Sequence, residues 1–321
     1  MPNQKAIFET VKGTIEAELF TDEVPNTVAN FAKLANAGED VHFLMRGDLG
    51  EVHRDGIFVR GEGENFRAAK INCYNSPKEI GPCDLVIVAV KSTSNADIVD
   101  LIPPLLHERT MLLILQNGLG NEEFMAEHFG AERVLGGLCF IAITRKSRTE
   151  VDRTAHGDIV LGEFNRPAQS RTRELAAIFE CANVRCHVKD DLALERWRKL
   201  IWNIPFNGLS IVAGGVDTRF IIDNKHLRKA TLDLMKEVIA AANRCGHALP
   251  DNAWREHVKR TETMGPFKPS TLVDWETGKP LEIEAIWGEP VRRAVAAGAK
   301  MPRTETLYIL LKKLDCDRHR K

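Results

Sequence analysis

The first part of the chain alternates short apolar runs with stretches of helical periodicity. Residues 84–90, DLVIVAV, are almost entirely apolar and follow Gly81-Pro82, as a parallel strand buried on both faces requires. The same patterns predict strands at 111–115, 134–144 and 159–161 and helices at 96–106 and 122–129. Strands that alternate with helices predict an α/β fold with a doubly wound parallel sheet.

Residues 26–37 predict a helix near the start of the chain. Pro25 suits a first helical turn and Gly38 a C-terminal cap. Residues 41–45, VHFLM, then predict a strand that ends at Arg46. This helix and strand are typical of a nucleotide-binding α/β unit.

The segment before this helix has a different pattern. Residues 14–20, TIEAELF, alternate, with Glu16 and Glu18 on one face. Alternation is typical of a hairpin strand with one face in water, so we expect an N-terminal hairpin that turns at Lys12-Gly13. In the first-strand position of a parallel sheet, the two carboxylates would be costly unless they were paired or reached water.

Beyond residue 190 the periodicity is mostly helical. Helices are predicted at 192–204, 227–245, 252–263, 281–297 and 303–314. We therefore expect a sheet domain at residues 1–190 and an all-helical domain at 191–321.

The composition argues against a nucleic-acid-binding protein and a membrane protein. Of 321 residues, 44% are hydrophobic and 28% charged, and the net charge of -1 gives no general attraction to nucleic acid or anionic lipid. No apolar run approaches the roughly 20 residues that span a bilayer, and the charged first twenty residues lack the apolar core of a signal peptide. The seven scattered cysteines favour reduced thiols, so we expect a cytoplasmic protein without a metal site.

Several motifs occur in a fixed order from Gly38 onward. They are GEDVHFLMR, GPCDLVIVAVKS, LQNGLGNEE, VLGGLCFIA, ERWRKLIWNIPFNGLS, KPSTLVDWETGKPLEIEAIWG and AAGAKMP. Together they resemble the ketopantoate reductase (2-dehydropantoate 2-reductase) family. The resemblance implies a Rossmann-like domain followed by a helical substrate domain, NADP(H) as cofactor, and reduction of ketopantoate to (R)-pantoate in pantothenate biosynthesis. The protein could form a homodimer. The alternative function is that of a catalytically degenerate member of this family with a binding role.

The resemblance places the catalytic acid at Lys199. An ammonium group can stabilise the charge that develops on the carbonyl oxygen of a 2-oxo acid and deliver the proton. Asn203 and Asn207, which the resemblance assigns to the substrate, follow at four-residue spacing and share a helix face with Lys199. Pro205 should distort this helix. The alternative is an ion pair between Lys199 and Glu195 on a solvated face.

Two further residues are assigned to the substrate by resemblance. Glu282 is the second catalytic residue, a carboxylate that can accept a hydrogen bond from the substrate's 4-hydroxyl group. Ser270 would reach the substrate carboxylate or hydroxyl. The alternatives are a helix-dipole partner for Glu282 and a cap or turn residue for Ser270.

Three residues are assigned to the cofactor. Arg46 ends a strand at which NAD enzymes usually carry an acidic residue, and an arginine there suits the 2′-phosphate of NADPH. Asn117 follows a strand, where the family has it at the boundary between cofactor and substrate. Lys91 is expected near both cofactor and substrate. The alternatives are a surface arginine, an ordinary Asn-Gly turn and an exposed lysine at a strand end.

The N-terminus departs from this family. Residues 5–37 resemble the opening of a cyclophilin-type prolyl isomerase, although the cyclophilin catalytic motifs are absent downstream. A Rossmann phosphate loop needs glycines for a tight turn and close backbone approach. Residues 14–25 contain none, and Asp22, Glu23 and Pro25 stand where amide donors should face phosphate. We therefore hypothesise that NADPH binds weakly or not at all.

Overall fold

The computed structural model describes residues 15–18, 25–45, 47, 49–61, 65–69 and 71–318. They belong to two compact units. The first ends at Asp190, and the second begins at Asp191. Residues 117–121 group with the second unit although they are flanked by the first unit in sequence.

In the part of the chain that the structure describes, the first unit contains one ten-stranded sheet. The strands are β1 Ile15–Glu18, β2 Val41–Leu44, β3 Ile57–Gly61, β4 Phe66–Ala68, β5 Asn72–Tyr74, β6 Leu85–Val88, β7 Met111–Ile114, β8 Val134–Arg145, β9 Glu150–Glu163 and β10 Cys186–Val188. The helices are α1 Pro25–Asn36, α2 Leu49–Asp55, α3 Pro77–Ile80, α4 Asn95–Ile98, α5 Asn121–Phe129 and α6 Ser170–Cys181.

The six strands β5, β2, β1, β6, β7 and β8 lie side by side and are all parallel. Chain order runs outward from β1 through β2 and β5 on one side, and through β6, β7 and β8 on the other. This is a doubly wound sheet, so the predicted fold class is confirmed. The order reverses between β1 and β6, and ligands of such sheets bind beyond the carboxyl ends of the strands at that point.

The centre of the sheet is buried on both faces. Leu85 and Ile87 of β6 belong to one apolar core, and the alternate residues Val86 and Val88 belong to another. A continuous apolar run predicts this arrangement, because neighbouring side chains of a strand point to opposite faces.

Two predicted boundaries in this unit were wrong. The expected helix at 96–106 is only α4 and one 3₁₀ turn at Pro103–Leu105, because Pro103-Pro104 cannot supply amide donors for a longer α-helix. The expected strand at 159–161 is part of the longer β9. β8 pairs in antiparallel with nearly the whole of β9, while β3 pairs with its start and β10 with its end.

The N-terminal segment is described only in part. Ile15–Glu18 forms β1 and pairs in parallel with β2 and β6, with Glu16 opposite His42 and Val86. The expected turn at Lys12-Gly13 and the strand before it lie outside the described residues.

The second unit is helical. It contains α7 Leu192–Val212, α8 Thr218–Asp223, α9 Lys225–Arg244, α10 Trp254–Thr263, α11 Ser270–Glu276, a π-helix Glu284–Gly288, α12 Glu289–Ala296 and α13 Pro302–Arg318. None of the helices that the structure describes is long and apolar enough to cross a bilayer.

Helix α7 runs through the core of the second unit. It was predicted to end near residue 204 but continues through Pro205 to Val212. Phe206 and Ile211 are almost fully buried, and the indole Nε1 of Trp287 donates to the carbonyl of Ile204 at 3.1 Å. This packing on the C-terminal half of α7 offsets the hydrogen bond that a proline removes.

Candidate active site

The side chains of Lys199 and Asn117 meet in the second unit. Lys199 lies in the first half of α7, and its Nζ donates to Oδ1 of Asn117 at 2.9 Å in a partly buried position. On the same helix Glu195, named above as the alternative partner of Lys199, accepts from Arg198 Nη1 at 2.9 Å. An amide oxygen can hold one proton of the ammonium group without neutralising its charge.

The segment of residues 117–121 holds Asn117 through main-chain contacts. The Leu119 N–H donates to the carbonyl of Ala285 at 2.9 Å, and Asn121 Nδ2 donates to the Asn117 carbonyl at 2.8 Å. Gly118 has φ of +86°, and a Cβ there would stand 2.3 Å from the Ala285 oxygen. Only glycine permits both this backbone conformation and this close approach.

Asn203 and Asn207 are buried on α7, one and two turns after Lys199. The Asn207 Oδ1 accepts from the main-chain N–H of Thr271 at 3.2 Å. Thr271 directly follows Ser270, which is the exposed first residue of α11. The structure therefore places Ser270 beside the α7 face that carries Asn207.

Glu282 is buried, with 4% of its surface exposed. It precedes the π-helix, and its carbonyl accepts from the Ile286 N–H at 3.1 Å. The next turn contains Ala285, whose oxygen holds the Leu119 N–H. Glu282 and Asn117 are therefore carried by two segments that are bonded to each other.

Two candidates remain, Lys91 and Arg46. Lys91 belongs to the first unit, three residues after the end of β6, and it is partly buried at the carboxyl edge of the sheet. Arg46 lies outside the described residues, as does the segment 19–24 that joins β1 to α1. The reversal of strand order at β1 and β6 suits a dinucleotide, whereas the glycine-free acidic sequence of 19–24 does not suit its phosphates.

Sequence patterns did not predict how Asn117 is anchored. The Leu119 N–H donates to the Ala285 carbonyl, and the sequence signals this only through Pro290, which has no N–H and lies five residues after Ala285. Among the residues that the structure describes, no group of three or more His, Cys, Asp or Glu side chains is placed to hold a metal ion.

The fold and the site together define a two-unit α/β protein with a doubly wound sheet and a helical unit that carries a paired lysine and asparagine. Residues 30–166 match the family described as "Ketopantoate reductase PanE/ApbA", and residues 191–315 match its C-terminal family. The chain belongs to the ketopantoate reductase family. The match begins inside α1, so residues 30–37 of the segment that resembles a cyclophilin fall within the reductase family.

Named relatives agree with this assignment. The chain is 36% identical to the 2-dehydropantoate 2-reductase of a Nostoc species over 289 residues, which is 88% of this chain and 90% of the relative. The crystal structure of 2-dehydropantoate 2-reductase from Geobacter metallireducens superposes with a TM-score of 0.90 at 40% identity, covering 94% of this chain and all of that one. The enzyme from Methylococcus capsulatus gives a TM-score of 0.84 at 29% identity, covering 95% and 97%.

Proposed function

We propose that this protein reduces 2-dehydropantoate to (R)-pantoate with NADPH, a step of pantothenate biosynthesis. Membership of the family and the names of its relatives support the reaction. The observation in the structure that carries the proposal is the bond between Lys199 and Asn117, because it holds an ammonium group in place for the substrate carbonyl.

Lys199 has the chemistry that the reaction needs. Reduction of a 2-oxo acid places negative charge on the carbonyl oxygen, and the nicotinamide supplies the hydride. An ammonium group has three donors, and Asn117 occupies one of them. In the proposed reaction the Lys199 ammonium group stabilises the charge on the carbonyl oxygen and delivers the proton.

The other residues would orient the substrate. Glu282 is buried and can accept the 4-hydroxyl hydrogen of ketopantoate, which would select this substrate over 2-oxo acids without that group. Because Asn207 Oδ1 is held by the Thr271 N–H, its amide hydrogens can face the substrate. Asn203 and Ser270 are assigned to substrate binding on the same side. Identification of pantoate as the product would test this assignment against other branched 2-oxo acids.

Cofactor binding involves residues of the first unit and the segment before α1. Arg46, Lys91 and Asn117 are the proposed contacts with NADP(H), and Arg46 favours the 2′-phosphate. The acidic, glycine-free segment before α1 opposes the phosphates. We expect a dissociation constant for NADPH well above the micromolar range, measured by titration of nicotinamide fluorescence, and micromolar affinity would refute the hypothesis.

The same segment favours a second candidate, a catalytically degenerate reductase fold with a binding role. The two candidates differ in turnover of NADPH with ketopantoate. A homodimer is also proposed, since a ketopantoate reductase from Staphylococcus aureus that shares this fold is described as dimeric. Light scattering during gel filtration would give the assembly mass directly.

A further inference from the structure

The chain changes its hydrogen-bond register just after Glu282. In the π-helix Glu284–Gly288, the Glu289 N–H donates to the carbonyl of Glu284, five residues back. The Ala285 carbonyl would take the next such bond from residue 290, but Pro290 has no N–H. Its oxygen accepts from the Leu119 N–H instead. The π register and Pro290 together leave a main-chain acceptor for the segment that carries Asn117.

The Glu284 side chain ties this π-helix to two neighbouring helices. Its Oε1 accepts from the Tyr308 hydroxyl at 2.7 Å and from Lys312 Nζ at 2.8 Å, both on α13. Its Oε2 accepts from Arg292 Nη1 of α12 at 2.8 Å. Burial alone would raise the pKa of Glu284, but these hydrogen bonds outweigh it and lower that pKa to about 2. The carboxylate is therefore ionised at neutral pH, and its three donors fix its position.

Gly288 makes room for this contact. A Cβ on Gly288 would stand 2.6 Å from Glu284 Oε2 and 3.1 Å from Cε2 of Tyr308. The last residue of the π-helix thus has no side chain where the Glu284 carboxylate meets α13. The π register that leaves the Ala285 oxygen available for Leu119 therefore also places Gly288 next to the Glu284 carboxylate.

We propose that Glu284 is a positioning residue for the reduction. It fixes the π register, so that the Ala285 carbonyl holds Leu119 and thereby places Asn117 against Lys199. The inference rests on the proposed function, in which Lys199 is the proton donor. An exposed ion pair by itself contributes little to global stability, so the effect of Glu284 is expected at the segment of residues 117–121.

The test compares Glu284→Ala with a matched control, Glu262→Ala. Glu262 is also half exposed in the second unit, and it pairs with Arg228 of α9 away from the π-helix. Two quantities are measured: the exchange rate of the Leu119 amide by NMR, and the steady-state constants with ketopantoate. Loss of one main-chain bond of about 1.4 kcal/mol corresponds to a factor of about ten.

We expect Glu284→Ala to raise Leu119 exchange and to lower kcat by about tenfold each, with KM changed by less than about twofold. Glu284→Gln, which keeps an acceptor oxygen, should recover part of both effects, and Glu262→Ala should change neither. Wild-type exchange at Leu119 in folded Glu284→Ala overturns the proposal. If that variant does not fold, Tyr308→Phe combined with Lys312→Met, which removes both donors to Glu284 Oε1, decides instead, and wild-type exchange there is equally contradictory. If the wild type does not reduce ketopantoate, the proposed function fails, while the exchange rates still decide the role of Glu284.

Discussion

Lys199 Nζ donates to Asn117 Oδ1 at 2.9 Å, joining two residues that are 82 positions apart in the chain. The contact lies wholly within the second unit, because residues 117–121 group with the helices. A segment that follows a strand of the sheet therefore supplies the partner of a helical lysine.

The neutral acceptor at position 117 is expected to matter for the chemistry. Asn117→Asp keeps the size of the side chain and an acceptor oxygen but places a negative charge beside the Lys199 ammonium group. That charge would compete with the substrate oxygen for the ammonium group, so we expect kcat for ketopantoate to fall about 10- to 100-fold. A thermal melt close to that of the wild type would show that the fold is intact. Unchanged kcat would contradict the role of this pair.

Substitutions at two glycines can distinguish the effect of a steric clash from the effect of backbone strain. Gly118 and Gly215 both have φ near +85°, but an added Cβ meets the Ala285 oxygen only at Gly118 and open space at Gly215. Gly215→Ala should cost about 1 kcal/mol in the free energy of unfolding and leave kcat unchanged. Gly118→Ala should also displace Asn117 and lower kcat by about tenfold or more. Equal kcat values for the two variants would argue against the close packing of residues 117–121.

A buried carboxylate joins the end of β9 to the start of α6. Glu163 is fully buried and accepts hydrogen bonds from Arg171 Nε at 2.8 Å, Arg166 Nη2 at 2.9 Å and Thr172 Oγ1 at 2.6 Å. Burial raises the pKa of Glu163, but these bonds outweigh it and the pKa is lowered.

Removing the Glu163 charge leaves two arginines without their partner. We expect Glu163→Gln to lower the free energy of unfolding in urea by about 3–5 kcal/mol. The control is Glu174→Gln on the exposed side of α6, which should change it by less than about 0.5 kcal/mol. Similar values for both variants would show that the network contributes little.

His257 makes the second unit sensitive to acid. Burial, then the positive charges of Arg260 and Arg198, lowers the pKa of His257 from 6.5 to about 4. The unfolded chain therefore binds this proton first as the pH falls. The titration of His257 leaves the free energy of unfolding unchanged well above pH 6.5 and lowers it progressively between about pH 6.5 and 4.

His257→Gln removes this titration. Between pH 7 and 4.5 its free energy of unfolding should fall by about 2 kcal/mol less than that of the wild type. His226→Gln, at an exposed position on α9, should retain the wild-type slope. Parallel curves for wild type and His257→Gln would contradict the lowered pKa.

The strands β2, β6, β7 and β8 were predicted from the sequence because their signals are local, whereas the short strands β3, β4, β5 and β10 were not predicted. A continuous apolar run such as residues 84–90 is typical of a parallel strand buried on both faces, and β6 is buried in that way. The helical spacing of Lys199, Asn203 and Asn207 likewise places them along one helix, α7. The length of β9 was underestimated because it follows from pairing with β8, β3 and β10, which the apolar pattern of residues 159–161 does not show.

The anchoring of the site could not be predicted for a related reason. A proline inside α7 ordinarily signals a break, and only the packing of residues such as Phe206 and Trp287 shows that the helix continues. The bond from Leu119 to Ala285 requires a π register that no periodicity indicates. Family resemblance named the side chains, whereas the contacts that hold them are tertiary.

The most direct test of the central claim is oxidation of NADPH at millimolar concentration with ketopantoate, for the wild type and for Lys199→Ala. We predict pantoate formation by the wild type and a kcat about 10²- to 10⁴-fold lower for Lys199→Ala, the range expected for loss of a general acid. Equal rates for the two proteins, or no pantoate from the wild type at saturating NADPH, would contradict the assignment of Lys199 and of the reaction.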